Sequence, residues 1–185
     1  MPTTTERLAA LFAQYSYREG DFTLSSGAKS TFYLDAKQVT YRPDGVALVG
    51  EAVLEAARAF NVTGVGGLTM GADAIVLSAV WASQRALAPL TGFIVRKEAK
   101  GHGTQQYIEG VHPKGQVVAI VDDVITSGGS ALKAAERVQA AGATVAVIIG
   151  LVDRLQGGGA AIEAAGIAFR SACTIEDVRA AFRRS

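Results

Sequence analysis

Several things are scarce in this chain of 185 residues, and each scarcity excludes something. There is one cysteine, Cys173, so no disulfide framework can staple the chain, and the residue reads as a small core filler rather than a nucleophile. Charge of one sign is missing too. Eighteen basic residues face 17 acidic ones for a net charge of +1, which offers no general attraction for nucleic acid. Apolar runs such as Val145–Ile149 are far shorter than the ~20 residues of a membrane helix. The opening "MPTTTERLAALFAQYS" has no basic leader ahead of a long apolar core, so it does not read as a secretion signal. The expectation is a soluble, cytoplasmic protein without membrane or nucleic-acid partners.

What is present is enough apolar material for a core. Hydrophobic residues make up 49% and charged residues 19%, which excludes global disorder. The length suits one domain, spanning 1–185, with an N-terminal helix and hood over about 1–42 and a core over about 43–185. Thr3, Thr4 or Thr5 caps a helix carrying Leu8, Leu11, Phe12 and Tyr15 on one face. "DFTLSSGAKSTFYLDAK" reads as two short strands around a Ser-Gly turn, and Pro43 suits the start of a helix with Val46, Val49, Val53 and Phe60 inward. "VTGVGGL" and "TGFIVR" are strands around an alanine-rich helix from about Asp73 to Leu87. Further on come the strand "QVVAIVD", a helix closed by Gly142, the strand "ATVAVIIGLVD" and a C-terminal helix in "TIEDVRAAFRRS". Strands too apolar to have a wet face, alternating with helices, imply an α/β fold with a central, mostly parallel sheet covered on both sides. Ligands of such sheets bind beyond the carboxyl ends of the strands.

The stretch "VVAIVDDVITSGGS", Val117–Ser130, therefore stands out. An apolar strand ends in Asp122 and Asp123, and a glycine turn then leads into a helix. Thr126, Ser127, Gly128, Gly129 and Ser130 form a nest of N–H and hydroxyl donors suited to a phosphate monoester. The carboxylates suit sugar hydroxyls, a magnesium ion or developing positive charge. Together they fit a phosphorylated sugar, although a plain capped βα junction would use similar residues. No G-x-G-x-x-G and no Gly-Lys-Ser/Thr follows this strand, which excludes the dinucleotide and Walker A loops.

A second cluster lies in residues 96–115, which are polar, interrupted by glycine and without helical or strand period. Arg96, Lys97, Lys100 and His102 gather at its start. A solvated charge cluster is the bland reading. Cations on a closable loop are also what a departing pyrophosphate needs, because they neutralise its growing charge while closure excludes water.

These motifs carry a resemblance. "VVAIVDDVITSGGS" resembles the phosphoribosyl-pyrophosphate (PRPP) signature of the type I phosphoribosyltransferases, and "RKEAKGHG" is similar to the loop of the orotate phosphoribosyltransferases. "FTLSSGAKSTFYLD" resembles that family's hood, "GGLTMGAD" its pyrophosphate-side loop and "VDRLQGG" its arginine-bearing strand end. The resemblance implies transfer of a phosphoribosyl group from PRPP to orotate with magnesium held mainly through substrate, in pyrimidine synthesis. It implies PRPP contacts from Arg96, Lys97, Lys100, His102, Asp122, Asp123, Val124, Ile125, Thr126, Ser127, Gly128, Gly129 and Ser130. Among these, Lys100, His102, Asp122 and Asp123 take the catalytic roles. Thr126 and Arg154 would bind orotate, with Phe32 and Tyr33 lining its pocket, although aromatics in such a strand also suit a core. Asp73 fits either the pyrophosphate side or a helix cap. A homodimer is implied in which loop 96–115 completes the neighbouring site. The chain departs from the family at Ser25, where many members carry lysine, and in Thr69-Met70-Gly71, where some carry Tyr-Lys; Lys29 is the nearest hood replacement. Two other readings remain: transfer to another base, and a non-enzymatic metabolite sensor on the same fold.

Overall fold

The computed structural model describes residues 1–23, 27, 29–98 and 107–184. Helix α1 spans Thr4–Tyr15 and opens with a capping box, in which the Thr3 hydroxyl accepts from the Glu6 N–H and the Glu6 carboxylate accepts from the Thr3 N–H. The hood follows as the antiparallel pair β1 (Tyr17–Thr23) and β2 (Lys29–Leu34), beginning four residues before Asp21, where the sequence pattern places its start. A single turn α2 (Lys37–Thr40) leads into α3 (Pro43–Ala57), which has its proline in the first turn.

The remaining elements are β3 (Gly64–Leu68), α4 (Asp73–Arg85), β4 (Thr91–Val95), β5 (Ile108–Gly110), β6 (Val117–Ile125), α5 (Gly129–Ala140), β7 (Thr144–Asp153), α6 (Gly158–Ala164), β8 (Ala168–Thr174) and α7 (Ile175–Phe182). The central sheet runs β5-β4-β3-β6-β7-β8 and is parallel throughout except for β5. Alternation along the inner strands explains their apolar runs. Ala119 and Val121 of β6 and Val147, Ile149 and Leu151 of β7 face one core with α1, α3, α4 and α7. Val118, Ile120 and Ile148 face the other with Ala131, Ala134, Ala135 and Val138 of α5 and Ile162 of α6. Both faces are covered, so neither needs polar residues. Glycine in β3 has a packing reason, since a Cβ on Gly66 would lie 2.1 Å from the Phe93 ring.

Three expectations need correction. Segment 96–115 is not wholly without strand character, because Ile108–Gly110 pairs antiparallel to β4; three residues are too few to show a period. Strand β6 does not end at the acidic pair but continues to Ile125, where pairing with β7 carries it to Ile125↔Asp153. Residues 155–173, unassigned above, form α6 and β8.

Candidate active site

Two loops meet where the strand order reverses, between β3 and β6, which is where open α/β sheets leave a crevice at their carboxyl edge. One is the β3–α4 loop, residues 69–72; the other is the β6–α5 turn, residues 126–128. They are in contact: a Cβ built on Gly71 would lie 3.1 Å from Asp123 Oδ1 and 3.3 Å from Asp122 Oδ1. A side chain there would press on both carboxylates, so glycine keeps the crevice open.

Asp122 is buried and Asp123 half-buried. Asp122 Oδ1 accepts from the Asp123 N–H at 3.0 Å, and Asp123 Oδ1 accepts from the Val124 N–H at 2.8 Å. Burial, reinforced by the neighbouring Asp123 charge, pushes the Asp122 carboxyl up to about 7. A desolvated acid facing a second carboxylate near the carboxyl edge of the sheet is suited to positive charge. Ile125 is buried in the core formed with α5 and α6, so its side chain turns away from the crevice. Thr126 is half-exposed, and Ser127, Gly129 and Ser130 are exposed around the head of α5. Gly128 starts that helix at φ +78, a conformation that L side chains avoid, and a Cβ there would sit 3.0 Å from the Gly158 carbonyl oxygen.

Arg154 follows β7 on the same edge, its N–H donating to the Ile125 carbonyl at 2.9 Å. Its guanidinium turns under the hood. The NH2 group donates to Ser30 Oγ at 3.4 Å, Cζ lies 4.4 Å from the Phe32 ring centroid, and buried Nε has no partner among the described residues. Such an incompletely satisfied arginine is suited to an incoming carboxylate. Phe32 and Tyr33 diverge, as alternation requires. Phe32 is buried beside Arg154, whereas Tyr33 is 46% exposed and packs on Phe22 with centroids 5.6 Å apart. Lys29 Nζ donates to Thr23 Oγ1 at 2.8 Å across the hood. Asp73 sits in the first turn of α4 and accepts from Thr69 Oγ1 at 3.1 Å.

Arg96 and Lys97 leave β4 at the rim, with Arg96 paired to Glu109 at 3.2 Å. Arg137, which the sequence did not single out, ties this region to α5. Its guanidinium donates to the Arg96 carbonyl, and to the Lys97 carbonyl at 3.0 Å, while Cζ lies 4.0 Å over the Tyr107 ring. It thus holds residues on either side of 99–106; only its helical position was legible beforehand. Lys37 was also missed: it pairs with Asp35 at 2.9 Å and feels the Asp123 charge. Lys100, His102 and Ser25 lie outside the described residues. Among the described residues no group of three or more His, Cys, Asp or Glu side chains could hold a metal. Asp122 and Asp123 nevertheless fit a hard cation that brings most of its oxygens with a substrate. Cys173 is buried and donates to the Leu151 carbonyl at 3.3 Å, and burial raises its thiol pKa far above the reactive range.

No family model matches the chain. It is 48% identical over 181 residues to an orotate phosphoribosyltransferase of Thermosynechococcus vestitus, covering 97% of this chain and 95% of the relative. Among solved structures, Mycobacterium tuberculosis orotate phosphoribosyltransferase in complex with Fe(III) dicitrate superposes with a TM-score of 0.85 at 38% identity, covering 95% of this chain and 99% of that one. The same enzyme in complex with PRPP gives a TM-score of 0.82 at 34% identity, covering 96% and 99%.

Proposed function

Since the chain belongs to the orotate phosphoribosyltransferases, we propose that the crevice between β3 and β6 is where it uses PRPP, and that Arg154 marks the seat of orotate. The protein transfers the phosphoribosyl group of PRPP to orotate, giving orotidine 5′-monophosphate and pyrophosphate for pyrimidine synthesis. What supports the placement is one juxtaposition: a carboxylate pair with Asp122 buried, and a glycine turn heading α5, share a sheet edge with an arginine whose Nε has no partner among the described residues.

The residues divide the work. Backbone N–H groups and hydroxyls of residues 126–130 receive the 5-phosphate at the start of α5. Asp122 and Asp123 accept from the ribose hydroxyls and stabilise the positive charge that develops at C1 as pyrophosphate leaves. Orotate is already an anion, so its ring nitrogen needs no strong base; Arg154 and Thr126 orient it, and proximity supplies much of the acceleration. Arg96, Lys97, Lys100 and His102 neutralise the departing pyrophosphate. Magnesium, held mainly through substrate oxygens with Asp122 and Asp123 close by, would supply further charge neutralisation at the pyrophosphate.

The reading includes a homodimer in which loop 96–115 reaches the neighbour's site. Supporting it, Tyr41, Met70, Leu77 and Trp81 are all at least half exposed, at 66%, 68%, 70% and 51%. Tyr41, Leu77 and Trp81 line one surface groove, an apolar area beside the crevice that a second copy would cover. Residues 1–42 act as the hood of one domain whose core is 43–185. The reading takes the protein to be cytoplasmic, free of nucleic acid; no helix among the described residues is long and apolar enough to cross a membrane. The direct test follows orotate absorbance with PRPP and magnesium. Loss of absorbance that requires all three components supports the reading. No loss with orotate, but consumption of another base, would favour a different acceptor.

A further inference from the structure

Phe32 carries two guanidinium groups. Arg154 Cζ lies 4.4 Å from its ring centroid and Arg179 Cζ 4.8 Å. Each contact is favourable as cation–π, but two cations on one ring repel each other. Arg154 feels this: its pKa is lowered, first by burial and then by the charge of Arg179. The two arginines are held very differently. Arg179, on α7, donates from Nε to Tyr17 Oη at 3.3 Å and from NH1 to Glu176 Oε1 at 2.7 Å. Tyr17 is itself fixed, its hydroxyl donating to Glu19 Oε1 at 3.0 Å and its ring lying 5.7 Å from Phe32. Among the described residues, the Arg154 guanidinium has, besides the Phe32 ring, one long hydrogen bond to Ser30 Oγ and a buried Nε without a partner. The pinned arginine therefore adds positive potential at the arginine that has no counter-charge among the described residues. Removing that mismatch takes an anion beside Arg154.

We propose that Arg179 is a specificity-positioning residue, whose charge, fixed against Phe32, makes the pocket beside Arg154 selective for a pyrimidine bearing a carboxylate over a neutral one. The inference rests on Arg154 seating the base. Arg179 need not touch the substrate; it acts through the shared ring and through the field at Arg154. Glu176, 60% exposed, partly masks that charge from the solvent side.

The experiment compares R179Q, R179K and E176Q with the unsubstituted enzyme in full kinetics, adding inhibition constants for a carboxylate-free pyrimidine. R179Q keeps a donor for Tyr17 but removes the charge. The expected result is an orotate KM about fivefold higher, with kcat and the PRPP KM within about twofold and the neutral inhibitor unchanged. R179K should restore most of the orotate affinity. E176Q, which unmasks Arg179, should move the orotate KM the opposite way, by about twofold at an exposed pair. Equal weakening of orotate and the neutral inhibitor, or failure of lysine to rescue, would overturn the proposal in favour of simple packing of α7 on the hood. An unchanged orotate KM in R179Q would also overturn it. R154Q run in parallel separates the two ideas: if it leaves orotate binding intact, the seat of the base is wrong, whereas if it alone weakens orotate, only the role of Arg179 fails.

Discussion

Asp122 sits where its charge is destabilising to the free protein. Its carboxyl is pushed from 3.8 to about 7, chiefly by burial. Between those values the folded protein holds a proton that the unfolded chain has released, so stability falls as pH rises from about 4 to about 7. At about 1.4 kcal/mol per pH unit, the penalty above pH 7 reaches roughly 4 kcal/mol at most. Asp122→Asn should therefore raise the melting temperature of the substrate-free enzyme at pH 8 and leave it nearly unchanged at pH 4. Equal stability of both proteins across this range, by calorimetry, would contradict the assignment. The same substitution should depress turnover, since the neutral amide cannot answer positive charge on the ribose. Much of this was legible beforehand: two acids after five apolar residues signal a polar group forced to a sheet edge. Which acid is buried was not legible, because that depends on the β7 pairing that prolongs β6 and on the close approach of Gly71.

Among the elements, the turn into α5 is constrained by both backbone angle and packing. Gly128 combines a left-handed φ of +78 with a tight approach to α6, where Ile162 Cγ1 would lie 3.2 Å from an added Cβ. Gly128→Ala should lower stability by about 1–2 kcal/mol from backbone strain alone. It should also raise the PRPP KM, because the N–H groups that meet the phosphate would shift. A variant with native melting temperature and native PRPP KM would refute that role. The glycine-rich turn could be read as a phosphate nest from residue types alone. Its dependence on α6 could not: "GGGAAIEAAG" is too short and too poor in large apolar residues to announce a helix, and β8 behind it alternates weakly. The hood shows the reverse limit. Phe32 and Tyr33 are adjacent aromatics in sequence, yet a strand sends them to opposite faces, and only the fold reveals that Phe32 lies against both Arg154 and Arg179.

For the whole molecule, magnesium and assembly are the exposed predictions. With no carboxylate cage among the described residues, the free enzyme should bind magnesium weakly, and chelator should abolish turnover reversibly. Tight stoichiometric metal in the substrate-free protein, by calorimetry, would contradict this. Assembly is tested by mixing Lys100→Ala with Arg154→Ala under subunit exchange. If each site draws Lys100 from one chain and Arg154 from the other, half the dimers are mixed and each has one intact site, so about a quarter of the activity returns. If one chain supplies both residues, nothing returns.

In the proposed function one sheet edge has two ends, an acidic pair reading the sugar and Arg154 reading the base. The most direct measurement is the pair of Michaelis constants and kcat for Asp123→Asn and Arg154→Gln under saturating magnesium. Arg154→Gln should raise the orotate KM at least about tenfold while the PRPP KM stays within about twofold, the loss expected for a charge-assisted bidentate pair. Asp123→Asn should instead lower kcat at least about a hundredfold, as loss of a transition-state charge partner does. Near-native orotate KM in the first variant together with near-native kcat in the second would contradict it.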